Sequence, residues 1–378
     1  MRNVIKKATG SLIFAPFIVL SVPQSQYTVF PVFTKFARLF FLLPLFGSSI
    51  LLISCSSQAD TEASQFFLKG NLKLAEKDYP AAVRYYEEAL QKKPDIADVH
   101  NNRGIAYLRS GERDKALEDF TKALEIDPKF EEAYFNRAGA LIDNQDFVSA
   151  AADLEQIRKT YQDSTDYYLK WGDLKFGQGY YEQALAEYDR SLSLNPKNSQ
   201  AFVNRGVTYF ETKNFKAAQP DFENALKLDA QQERAYNNLG LIFARNNQLD
   251  QALKLIERAL DFDPVSPIYL NNKGYVLLLQ NKQNEAKALI DKSLDKDPQN
   301  SYAYRNLGLY FLKNNQKAEA LAALQKAYQL SPATDQIHYW LGQALLVNNQ
   351  KGEACRVWKK GEALGEKDAS DQYRQNCR

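Results

Sequence analysis

The stretch that decides the fold is ADVHNNRGIAYLRSGERDKALEDFTKALEIDPKF, residues 97–130. Its second half carries Ala116, Leu117, Phe120, Ala123 and Leu124, one apolar stripe at helical spacing. Asp127-Pro128 ends that helix, because proline removes an N–H and clashes with the preceding turn. Gly111 precedes the stripe, and glycine tolerates the left-handed conformation that closes a helix. The closing proline then returns with a fixed period. Pro94, Pro128, Pro196, Pro264, Pro298 and Pro332 lie on one lattice of 34 residues, with Gln162 and Ala230 in the two gaps.

Framed by that lattice, the units are 63–96, 97–130, 131–164, 165–198, 199–232, 233–266, 267–300, 301–334 and 335–368. The eighth place is Gly70, Gly104, Ala138, Gly172, Gly206, Gly240, Gly274, Gly308 and Gly342. The twentieth is alanine throughout, from Ala82 and Ala116 to Ala354. Four residues on stands a large apolar group: Tyr86, Phe120, Leu154, Tyr188, Phe222, Ile256, Ile290, Leu324 or Trp358. Small residues at the first two places let the two helices of a hairpin approach closely, and large ones fill the space between units. Gly111, Gly179, Asn247, Asn281, Asn315 and Asn349 fall between the helices, where a left-handed residue is needed. Pro80 falls near the start of a second helix, a tolerated place.

This pattern resembles the tetratricopeptide repeat (TPR) over residues 63–368. The resemblance implies an all-α fold: a right-handed TPR superhelix, or solenoid, of about nine helix-turn-helix hairpins with a concave inner groove. Residues 369–378 are expected to be a C-terminal cap, the end of a polar helix from Glu366, since a solenoid needs a wet outer face. Three places depart from the pattern. Unit three has Ala138, Ile157 and Gln162 at landmark places, Pro220 falls a turn into a second helix, and unit nine has Gly361 where alanine is usual.

The charge divides unevenly. Residues 1–54 hold Arg2, Lys6, Lys7, Lys35 and Arg38 and no acid. Setting those five aside leaves 43 basic against 46 acidic residues from Cys55 onward, a formal −3. That balance lacks the field that phosphate backbones attract, so no nucleic-acid partner is expected.

The leader has two apolar stretches, 12–20 and 39–53, each preceded by basic residues. The second is too short to span a bilayer comfortably and suits a signal-peptide core. It ends in Leu52-Ile53-Ser54-Cys55 and resembles the lipobox of bacterial lipoproteins. That resemblance implies cleavage before Cys55, a diacylglycerol on its sulfur, residues 1–54 as the signal, and residues 55–62 as a short tether. Ser56, rather than Asp, favours the outer membrane over the inner by the same resemblance. The leader is long for a signal; Val32–Ser54 alone has the ordinary length, which points to a start near Val29 or Val32. The alternative is an uncleaved anchor, with Cys55 a small apolar residue.

The chain carries no Walker A loop, HExxH or nucleophile elbow, and neither an enzyme nor a cofactor is expected. His100 and His338 both take the fourth place of their units, where Tyr or Phe is usual, and read as packing aromatics; no metal set converges on them. Cys355 and Cys377 remain beside Cys55 and suggest a disulfide in an exported chain, or two free thiols in a reducing compartment. The sharpest functional feature is a column of asparagines. Sixth places hold Asn102, Asn136, Asn204, Asn238, Asn272 and Asn306, interrupted by Lys170, with Asn101, Asn237 and Asn271 beside three of them. In the TPR fold this place faces the groove. The column resembles the asparagine ladder of O-linked N-acetylglucosamine transferase, which implies contact with the backbone of an extended peptide, since an amide both donates and accepts. Packing between helices is the competing role. Chaperone-tail-binding TPR proteins add Lys and Arg to clamp a terminal carboxylate. That full set is missing, and the fifth-place Phe67, Phe135, Leu169 and Val203 point to an apolar early groove.

The expected function is a lipid-anchored, periplasm-facing scaffold or adaptor that binds a protein or peptide in bacterial envelope assembly. The alternative is a regulatory subunit positioning an envelope enzyme such as a cell-wall hydrolase.

Overall fold

The structure, a computed structural model, describes residues 50–377, with side chains from Gln58 onward. The signal expected at 1–54 lies outside the described residues but for its last five backbone positions, and so does the Cys55 side chain. The described chain is all-α, without a strand, and falls into two compact units that meet at Pro196–Lys197.

The first unit holds four hairpins. They are α1 (Ile50–Ala75) with α2 (Tyr79–Lys92), α3 (Ala97–Arg109) with α4 (Arg113–Ile126), α5 (Glu131–Asp143) with α6 (Phe147–Gln156), and α8 (Thr165–Gly177) with α9 (Tyr181–Leu194). A single turn, α7 (Arg158–Tyr161), follows α6. The second unit holds five. They pair α10 (Ser199–Glu211) with α11 (Phe215–Leu228), α12 (Glu233–Arg245) with α13 (Leu249–Phe262), α14 (Pro267–Leu279) with α15 (Gln283–Lys296), α16 (Ser301–Lys313) with α17 (Lys317–Leu330), and α18 (Ile337–Val347) with α19 (Lys351–Ala363). The last helix, α20 (Lys367–Cys377), packs on α19 and α18.

The landmarks work by contact. All the alanines at the twentieth place, and the large residues four positions on, are fully or almost fully buried. A Cβ added at Gly104 would meet the Phe120 ring at 2.7 Å, and one at Gly240 would meet Ile256 at 2.7 Å and the Ala252 carbonyl at 3.1 Å. The six turn residues expected to be left-handed all have positive φ, and Lys77, Gln145 and Lys213 take the same conformation without glycine or asparagine chemistry. Those three are legible only from the frame.

Two departures behave differently. Pro220 lies within an unbroken α11. Unit three is broken: Ile157 takes a place held by Ala, Ser or Gly elsewhere, is itself 1% exposed, and divides α6 from α7. A β-branched side chain where the partner helix approaches forces the backbone to give way. The segment 55–62, read as a tether, is helical and continuous with α1. It therefore spans about 1.5 Å per residue, less than half of its extended reach.

Candidate functional site

The asparagine column forms from first helices that stack in register, so the fifth and sixth places of neighbouring hairpins come within hydrogen-bond reach. In the second unit, Asn306 Nδ2 donates to Asn271 Oδ1 at 2.8 Å, Asn271 to Asn272 at 3.4 Å, Asn272 to Asn237 at 2.9 Å, and Asn237 to Asn238 at 3.1 Å. In the first unit, Asn136 donates to Asn101 at 3.0 Å, Asn101 to Asn102 at 3.1 Å, and Asn102 to Asn71 at 2.9 Å. Tyr86 Oη also donates to Asn71. Each relay suits the amide, a neutral side chain that donates at one end and accepts at the other.

Burial sorts the column. Asn101, Asn136, Asn204, Asn237, Asn271 and Asn306 are buried, and Asn102, Asn238 and Asn272 are half-buried. The buried members couple one hairpin to the next, and the half-buried three have the access a ligand needs. Asn204 accepts from Gln200 at 2.7 Å and from Arg234 at 3.4 Å. Of the fifth-place residues, Phe135, Leu169 and Val203 are buried and Phe67 is half-buried against the core of the first hairpins, so the apolar early groove expected from the four is corrected.

Lys170, which interrupts the column, is buried with its ammonium 4.5 Å from the Phe135 ring centroid. Burial depresses its pKa against the attraction of Asp173, Asp143 and Asp166. Burial pushes the Asp143 carboxyl up to about 6, opposed by Lys170 and Arg113. The first unit thus has a lysine where its neighbouring rungs carry asparagine.

A second recurrent device was not singled out from the sequence. Arg103, Arg137 and Arg205, at the seventh place, each grip an aspartate of the second helix sixteen residues on: Asp119, Asp153 and Asp221. All six bonds are 2.6–2.8 Å and each pair is bidentate, the geometry that makes arginine specific for carboxylates. An Arg–Asp pairing at that interval in the frame is the signal that could have found it. The histidines are buried. His100 lies between Asp119 and the Pro94 carbonyl, both at 3.0 Å, and His338 meets Glu366 at 2.8 Å.

Cys355 of α19 and Cys377 of α20 are joined as a disulfide, Cα–Cα 5.7 Å, across 22 residues of sequence. Beneath it, Ala369 and Gly361 bring the two helices together; a Cβ at Gly361 would lie 2.6 Å from that of Ala369. Among the described residues no helix is long and apolar enough to cross a membrane.

Profiles described as "Tetratricopeptide repeat" match residues 97–130, 209–267, 238–301, 271–334 and 305–358, and one described as "TPR repeat" matches 70–111 and 172–213. Among curated proteins, the chain is 36% identical over 120 residues to the tetratricopeptide repeat and J domain-containing co-chaperone DNJ1 of Cryptococcus neoformans, covering 30% of this chain and 23% of that protein. It is 30% identical over 141 residues to serine/threonine-protein phosphatase 5 of Homo sapiens, covering 36% and 27%. The match to the Hsp70-Hsp90 organizing protein of Triticum aestivum is 34% over 99 residues, covering 26% and 16%. The chain thus spans less than a third of the length of these three relatives. Among solved structures, the Cut9 and Hcn1 hetero-tetramer of the APC/C aligns over 84% of this chain and 76% of that one, with TM-score 0.59 and 16% identity, a likeness of fold alone. What these proteins share with the chain is the repeat, a protein-interaction scaffold. With the hairpin frame, its buried landmarks and the matched profiles in agreement, the chain belongs to the tetratricopeptide-repeat family.

Proposed function

We propose that the chain is a membrane-tethered scaffold of the bacterial envelope that holds an extended segment of a protein partner along its first helices. The observation that carries this reading is the amide column, whose members Asn102, Asn238 and Asn272 keep partial access to solvent. Amides spaced by the repeat can bond a peptide backbone at regular intervals whatever its side chains. Tethering rests on the apolar segment 39–53 and the Cys55 that follows it, and envelope location on that segment together with the Cys355–Cys377 pair.

Two measurements test the two halves. A photo-crosslinking side chain at position 238 or 272 is expected to capture a partner in the native envelope far better than one at Lys254, which is exposed on α13. Equal yields from both places would remove the groove reading. The intact mass of the protein extracted from its native membrane, without reductant, is expected to match residues 55–378 plus a lipid, and to gain two hydrogens on reduction. An unprocessed mass with free thiols would sink the anchored reading and leave the array as a scaffold elsewhere.

A further inference from the structure

The last hairpin of the second unit starts out of frame. In units five and eight, Asn198 and Asn300 cap their helices by accepting from Ala201 N and Ala303 N, and the helix begins at the next residue, Ser199 or Ser301. The frame puts Thr334 at that cap and Asp335 at the first helical place. Threonine is a capable cap. Instead its hydroxyl donates to Ser301 Oγ at 2.8 Å, and α18 begins two residues late, at Ile337. Gln336 takes φ 57°, a conformation that residues with a Cβ avoid. A lost cap and a left-handed glutamine persist only where other contacts hold them.

Gln336 Nε2 donates to Asp368 Oδ2 at 3.0 Å, and the other contacts centre on Asp335. Its Oδ1 lies 3.3 Å from Lys213 Nζ, in the turn after α10, and its Oδ2 lies 3.6 Å from Arg245 Nη1, at the end of α12. Arg305, buried on α16, donates to the Asp335 backbone carbonyl at 2.9 Å. A residue at the start of unit nine thus reaches the first-helix ends of units five and six. Lys213 and Arg245 are exposed, and Asp335 keeps 30% of its side-chain surface. Ion pairs this wet are weak and readily exchanged. A second acid, Glu211, also faces the cluster and is repelled by Asp335. Without Asp335, three cations outweigh one carboxyl.

We propose that Lys213 and Arg245 form a receiving site for a carboxylate from an acidic segment of the partner, and that Asp335 fills this site while no partner is bound. This rests on the reading that the repeats hold an extended protein segment. It adds the chemistry of one position and a competitor built into the chain. The unwound start of α18 is then a displaceable strap.

The test is the binding of a fluorescein-labelled hexaglutamate peptide, with hexaglutamine as control, to the full chain, to Asp335→Asn and to Lys213→Ala/Arg245→Ala. Circular dichroism checks that each variant keeps its helix content. Asp335→Asn is expected to bind hexaglutamate about two- to fivefold more tightly, the range an exposed pair can contribute. The double variant is expected to lose that binding, and hexaglutamine to bind none of the three. If Asp335→Asn binds no more tightly than the unsubstituted chain, Asp335 is not the competitor and the proposal fails. If the double variant still binds, the site is elsewhere and the proposal fails. These outcomes are read without a partner, so they stand apart from the crosslinking at positions 238 and 272. A chain that captures its partner there but ignores Asp335 would lose only the present proposal.

Discussion

Replacing Gly342 by alanine tests the close approach on which every hairpin depends. A Cβ at that place would lie 2.1 Å from Trp358 Nε1 and 2.5 Å from both Cδ1 and Cε2. Carbon contacts settle near ~3.5 Å, so the indole must retreat by about 1 Å or more. It has little room, being fully buried, and its N–H donates to the Tyr339 carbonyl at 3.2 Å. Overpacking costs about 1–3 kcal/mol. A stranded indole N–H adds about 1–3 kcal/mol, and the better helix propensity of alanine returns about 1 kcal/mol. The net expectation is a loss of about 1–5 kcal/mol, felt chiefly by the last hairpin because α18 and α19 pack mainly on each other, on α20 and on the preceding hairpin. Gly352 is the control. It lies in α19 of the same hairpin, exposed, with nothing within 4 Å of its added Cβ. Gly352→Ala should therefore stabilise by up to ~1 kcal/mol. Amide hydrogen exchange read helix by helix is the assay. Gly342→Ala should speed exchange in α18, α19 and α20 while α10 to α13 keep theirs. Unchanged protection in Gly342→Ala, or an equal loss in Gly352→Ala, would refute the reasoning.

Other outcomes follow from the same contacts. Reducing the Cys355–Cys377 disulfide opens a loop of 22 residues, worth about 3 kcal/mol in the chain-entropy model, so α20 should become protease-sensitive before α19; equal resistance with and without reductant would show that the bridge contributes nothing. Asn306→Leu leaves Asn271 Oδ1 buried without its donor and should cost about 1–3 kcal/mol in a urea melt, whereas a loss below the error of the melt would mean the ladder is ornamental. Burial and the neighbouring Asp335 push the half-buried Glu211 up to about 7, against the attraction of Lys213. Its folded pKa is above the ordinary glutamate value of 4.5, so the fold loses stability as pH rises from there through about 7, and below 4.5 both states are protonated. Glu211→Gln should therefore stabilise the second unit by about 1–3 kcal/mol at pH 8 and by almost nothing at pH 4, after discounting for solvent screening; a pH-independent difference would contradict the burial. Asp153→Asn breaks the bidentate grip of Arg137 and should lower the stability of unit three by about 1–3 kcal/mol, with Thr121 left as a second partner for the guanidinium.

The sequence by itself determined the repeat. A 34-residue period in proline, glycine and alanine is a statement about local geometry: where helices stop, where they touch and which turns go left-handed. Those constraints act within one hairpin, so Gly111, Asn247, Ala116 and Phe120 could each be assigned from neighbours in the chain. The break at Ile157 was visible as an anomaly, but its form, a helix divided into α6 and α7, was not. Contacts between hairpins needed the tertiary structure. Residue type placed Asn136 and Asn101 in a column, yet only the stacking of α3 on α5 turned them into partners 35 residues apart and buried both. The same stacking drew Phe135, Leu169 and Val203 into the core. Asp335 lies furthest from what a sequence can tell. Its frame position is that of an ordinary first helical residue, and it left that position for Lys213 and Arg245, cations 122 and 90 positions earlier in the chain. Local propensity favours the cap at Thr334, and only tertiary contacts override it, the Thr334–Ser301 and Gln336–Asp368 bonds together with the distant charges.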